Sequence, residues 1–221
     1  MIATGLTGSI GENHGPSRRL PMIPLGAVLL PSAFLPIHLF EARYLEMITD
    51  VLAGEKEFGS VLIRRGSEVG GGEERHDIGT LAHIVEATRL PGERWAVVAV
   101  GLQRIRVQAW LPDDPYPIAL IEPWLDDRED SPPSSVVVDL SSRLRRLLAG
   151  LSELGERVPA TDFQVVDEPS NAIFQLTAIA PISVYDRQRL LETRGAQRRA
   201  QLLGHLLSEA QETVEMRLTG A

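Results

Sequence analysis

The hydrophobic pattern of this chain changes period twice, and the first change falls between Leu20 and Ile48. There the sequence LPMIPLGAVLLPSAFLPIHLFEARYLEMI interrupts short apolar runs with Pro21, Pro24, Pro31 and Pro36. Proline has no N–H to give a ladder and fixes φ, so these runs predict short edge strands joined by irregular turns, with no helix before Phe40. From there Phe40, Tyr44, Leu45, Ile48, Val51 and Leu52 recur at helical spacing, and Gly54 stands where a helix C-cap glycine belongs. Residues 58–64 (FGSVLIR) predict a buried strand, and the glycine-rich stretch GSEVGGGEERHD after it an exposed loop. Residues 78–90 and 95–100 predict two strands joined by Leu90-Pro91-Gly92-Glu93, a type II turn whose second central residue needs positive φ. Gly101 breaks the run. Residues 103–110 predict another strand, with Ile105 and Val107 on one face and Arg104 and Arg106 on the other, and residues 118–121 a last one.

The second change follows DDREDSPPSS, an acidic, proline- and serine-rich linker at residues 126–135. Beyond it the period is helical. Leu140, Leu144, Leu147, Leu148, Leu151 and Leu154 form one stripe, and Asp167-Glu168-Pro169 opens a helix that Pro181 stops. Ser183 with Asp186 resembles a capping box for a short helix ending near Gly195, and Leu202, Leu203, Leu206, Leu207, Ala210 and Val214 mark the last helix. The expected organisation is a flexible tail over residues 1–19, a β-rich domain over 20–125, the linker, and a helical bundle over 136–221. The fold class is α+β.

Composition narrows the chemistry. The 221 residues are 43% hydrophobic and 24% charged, as in a soluble globular protein, and aromatics at 5% leave the core to Leu, Val, Ile and Ala. A net charge of −8 argues against nucleic-acid binding through overall electrostatics. With no cysteine, disulfides, thiolate metal sites and cysteine nucleophiles are excluded. The amino terminus lacks a basic segment followed by an apolar stretch, and no window reaches the length of a membrane span, so a cytoplasmic location is expected. His14, His38, His76, His83 and His205 show no metal-ligand spacing, and there is no G-x-S-x-G elbow. No catalytic residue, metal or cofactor is predicted.

The proline-broken block, together with IGTLAHIVEATRLPGERWAVVAVGLQRIRV downstream, resembles the N-terminal domain family of Lon proteases in a stand-alone form. The resemblance spans roughly Leu20 to Leu218. It implies an antiparallel β pseudo-barrel of PUA-like type with one helix, followed by a helical bundle. It also implies recognition of unfolded or degron-bearing polypeptide, as in an adaptor to a separate protease. Lys56 is the single lysine, set in GEKEF without a glycine loop, so the sequence carries no Walker A motif, and it offers no Ser–Lys dyad.

Three surfaces are candidates for binding. The first is the apolar or aromatic set Phe34, Leu35, Tyr44 and Trp95 of the proline-rich block and the central hairpin. The second is a positive strip of Arg89, Arg104 and Arg106. The third is the crevice between sheet and bundle. Core packing or a solvated strand face would explain the same residues. RNA or a small ligand is the alternative partner that PUA-like relatives suggest, and the apolar stripe of the last helix would suit a homodimer or a helical core equally well.

Overall fold

A computed structural model of the chain describes residues 17–68, 72–126 and 130–219. His14, the first part of the expected tail, Gly70, Gly71 and the linker residues Asp127, Arg128 and Glu129 lie outside the described residues. The strands are β1 (Arg18–Leu25), β2 (Phe34–Leu39), β3 (Glu57–Arg65), β4 (Glu74–Leu90), β5 (Arg94–Leu111) and β6 (Ile118–Pro123), with α1 (Ala42–Ala53) between β2 and β3. Helices α2 (Ser134–Glu153), α3 (Pro169–Ile179), α4 (Val184–Glu192) and α5 (Ala196–Thr219) follow. The architecture is the expected mixed α+β one.

The sheet order is β2-β5-β4-β3-β1-β6, and β6 also pairs with β5, so five strands return to their starting point while β2 stays outside at the edge. One long strand makes this closure. β5 pairs with β2 through residues 95–100 and with β6 through residues 105–111. Gly101, expected to end a strand, lies inside it instead. A Cβ there would stand 2.3 Å from the Leu30 carbonyl oxygen, so glycine lets the β1–β2 connection close on the strand, with Ser32 N–H donating to Gly101 O at 2.8 Å. Gly92 takes φ +77 as the turn requires, and Glu93 follows at +55.

Prolines in β1 do not make it an edge strand. It pairs with β6 through Arg18–Pro21 and with β3, in parallel, through Met22–Leu25. Backbone N–H groups alternate sides along a strand. The Met22 N–H donates toward β6, at the Pro117 carbonyl, so the missing donor of Pro21 falls on the β3 side before that pairing begins. Pro24 lacks its donor on the β6 side after that pairing has ended. The last residues of the expected tail, Arg18 and Arg19, belong to this strand.

Leu20, Met22, Val61, Leu81, Ile105, Val107, Ala119 and Ile121 fill the inside of the ring. On the outer side, Tyr44, Met47, Ile48 and Val51 of α1 pack against Ile23, Phe58, Ala82, Ile84, Val97 and Ala99. Phe40 falls before α1 and is exposed, and Gly54 occupies the C-cap with φ −106 rather than a left-handed conformation. The leucine stripes of α2 and α5 meet Ile173, Leu176 and Leu190 in the bundle core. Glu168 caps α3 by accepting from the Ser170 and Asn171 amides, and the Ser183 hydroxyl accepts from the Asp186 amide at the start of α4. No helix among the described residues is long and apolar enough to cross a membrane.

Candidate functional site

Residues paired across a sheet share a face. The registers place Leu35–Ala99–Ile84, Ile37–Val97–Ala87 and Leu39–Trp95–Arg89 on the α1 side. The opposite rows are Phe34–Val100–His83–Glu57, Pro36–Val98–Glu86 and His38–Ala96–Thr88, and none of their side chains is buried. Phe34 is 70% exposed. Two bulges interrupt the β4–β5 pairing beside this face. Ile84 pairs with Ala99 but Glu86 with Val98, leaving Val85 extra in β4; Leu81 pairs with Gln103 but Ala82 with Gly101, leaving Leu102 extra in β5. Bulges re-aim side chains, and the bulge residues Val85 and Leu102 are the large apolar residues that β4 and β5 expose. Phe34, Val98 and Val100 thus share an uncovered face, with the exposed bulge residues Val85 and Leu102 beside them.

A crevice adjoins it. Between the β2 and β6 pairings, residues 101–104 of β5 lack a strand neighbour on one side. Pro31, Leu102, Trp124, Leu125 and Phe174 contribute the apolar lining of an opening of about 290 Å³ there, with Asp130 and Glu168 among its charged residues. Leu102 belongs to both surfaces.

Charge lies under the crevice. Asp126 accepts from Arg104 of β5 and Arg199 of α5, from the Gly195 amide at 2.9 Å and from the Ser170 hydroxyl at 3.3 Å. Arg104 also donates to the Leu191 and Thr193 carbonyls at 2.8 and 3.0 Å, tying the sheet to the end of α4. Phe174 lies 4.0 Å from the Arg199 guanidinium carbon, a cation–π contact. Burial pushes the Asp126 carboxyl up, but Arg104, Arg199 and the Gly195 amide outweigh it and hold the group below its ordinary value. Burial, then the nearby Arg199, pushes Arg104 down to about 10 against the pull of Asp126. This arrangement joins sheet to bundle.

The structure distributes the residues singled out from the sequence over several places. Phe34 lies on the uncovered face. Leu35 faces the α1 side, and Tyr44 is buried in that core with its hydroxyl raised to about 12, chiefly by burial. Arg89 and Trp95 line a cleft against α1 with Leu45, Thr49 and Asp50, across the sheet from Phe34. The expected positive strip does not form. Arg104 is 3% exposed and held by Asp126, and Arg106 pairs with the fully buried Glu122 while lying 4.6 Å from the Trp124 ring. Asp126 is part of the seam rather than a solvated linker acid. Val85 and Leu102 carry no signal in the sequence, because alternation along one strand does not disclose where the register slips.

Fold and surface together describe an α+β domain that presents a sheet face. The family model described as the ATP-dependent protease La (LON) substrate-binding domain matches residues 19–209, and the chain belongs to that family. It is similar to the Lon protease of Syntrophomonas wolfei, 24% identical over 213 residues that cover 93% of this chain and 26% of that protein. The chain therefore spans about a quarter of that curated relative's length. Among solved structures, the Lon N-terminal domain protein from Xanthomonas campestris superposes with a TM-score of 0.62 at 25% identity, covering 84% of this chain and 96% of the other. The N-terminal domain of the Mycobacterium avium complex Lon protease gives a TM-score of 0.57 at 20% identity, covering 86% and 98%, and shares the fold.

Proposed function

We propose that this chain is a non-catalytic polypeptide-recognition module that holds apolar segments of unfolded or degron-bearing chains against the β2–β5–β4 face. The observation carrying this reading is the uncovered apolar surface around Phe34, beside which two bulges expose Val85 and Leu102, in a member of a substrate-binding-domain family. Exposed apolar surface on a rigid sheet holds extended chains through side-chain contacts with little sequence demand. Delivery of the bound chain to a separate protease in the cytoplasm would make it an adaptor. The RNA alternative loses the feature that would have favoured it, because Arg104 and Arg106 are engaged within the protein.

Fluorescence anisotropy of a labelled, permanently unfolded polypeptide, titrated at low and high salt, tests the proposal. Saturable binding that persists at high salt and weakens in Phe34→Ser supports it; absence of binding at both salts rejects it. Binding of RNA with steep salt dependence would support the alternative, because phosphate contacts set the log–log slope.

A further inference from the structure

The uncovered face has a charge sign as well as an apolar surface. Its register rows contain two carboxylates, Glu57 and Glu86. Glu57 is neutralised locally, since Arg18 donates to it at 2.6 Å. Glu86 is exposed, and its carboxylate has no ion pair or hydrogen bond among the described residues. The β4 bulge accounts for its position. Continued without a slip from Ile84↔Ala99, the register would pair Val85 with Val98 and turn Glu86 toward α1 beside Val97. With Val85 inserted, Glu86 pairs with Val98 and stands in the same row as Pro36. Glu86 is therefore delivered to the uncovered face, with Val85 beside it.

Two exposed cations flank the surface: Lys56, whose carbonyl accepts from the Ile84 amide at 2.8 Å, and Arg94. Arg94 lies four residues along β5 from Val98, about 13 Å at the rise of a strand, and its Nε donates to the Pro91 carbonyl at the hairpin tip. At the other end, Arg104 of the crevice is buried and held by Asp126, whereas Asp130 and Glu168 also line the opening. The net charge of −8 adds a long-range field of the same sign.

We infer that the segment recognised on this face is apolar and basic: an extended hydrophobic run carrying a lysine or arginine that pairs with Glu86. This rests on the polypeptide-recognition reading and gives it a substrate class. Acidic runs of equal hydrophobicity are disfavoured, because they bring a second carboxylate beside Glu86.

The test uses the full chain and three short labelled peptides of alternating Phe, Val and Ser that differ only in a central Lys, Gln or Glu. The Lys peptide binds about fivefold tighter than the Glu peptide at low salt, the size expected of an exposed charge pair. In Glu86→Gln, an exposed substitution, the difference between the Lys and Glu peptides closes. Equal binding of all three peptides by the wild type, with loss in Phe34→Ser, overturns the charge assignment and leaves the recognition reading standing. A Lys preference that survives Glu86→Gln also overturns it, by tracing the sign to the field of the whole molecule. Binding of no peptide overturns both.

Discussion

At the seam between sheet and bundle the protein buries charge. Arg104, Arg199 and Asp126 meet among Phe174, backbone carbonyls and a helix-preceding amide. On and beside the β2–β5–β4 face it does the reverse, leaving Phe34, Val85 and Leu102 in water. A buried ion cluster costs desolvation, but once assembled it strongly penalises loss of one partner. An exposed apolar cluster contributes little to folding and is available to a second chain. Polar character alone would have assigned these roles the other way round, with the arginines as the binding surface and the aromatic as core.

The comparison is broken most sharply at Asp126. Asp126→Asn leaves two buried guanidinium groups without their carboxylate and is expected to cost about 3–5 kcal/mol, read as a lowered urea midpoint, with peptide affinity unchanged wherever the protein stays folded. The same carboxylate gives a pH signature. Its folded pKa lies below the ordinary 3.8, so its stabilisation is present above that value and lost as pH falls through the lower folded one. Midpoints of wild type and Asp126→Asn should therefore converge as the solution is acidified; a constant gap would remove Asp126 from the account.

Gly101→Ala comes next, at about 1–3 kcal/mol, because the added carbon meets the Leu30 carbonyl oxygen. It should perturb the crevice and the start of β2 together, visible as enhanced amide exchange in both. Phe34→Ser should leave the unfolding midpoint within about 0.5 kcal/mol while weakening unfolded-polypeptide binding about tenfold, the worth of part of a phenylalanine's burial. A large loss of stability with no change in binding would make Phe34 structural. Leu102→Ser is the smallest, a few-fold weakening of binding that identifies how far the contact extends toward the crevice.

Much of the helical half was legible in the sequence because its determinants are local. Glu168 before Pro169, Ser183 before Asp186 and the leucine stripes act within a few residues, and each does what its spacing predicts. The β half depends on partners far along the chain. Arg104 alternates correctly with Ile105, but its fate is decided by carbonyls at Leu191 and Thr193 in the helical half. Prolines in β1 imply an edge in isolation; they are accommodated because the strand changes partners between Pro21 and Met22. Of the proposed binding face, the sequence marked only Phe34. Val85 and Leu102 acquire their exposure from slips in register, which belong to pairs of strands and not to either sequence alone.

The change of partners along β1 also bears on how the molecule is made. Arg18 pairs with Ile121, so the ring cannot close during synthesis until its last strand has left the ribosome. Until then the first strand must wait without its β6 neighbour. An unpaired apolar strand is a template for the wrong neighbour, and a proline withholds one of the donors that such pairing would use. Pro21 and Pro24 therefore withhold two such donors during that interval.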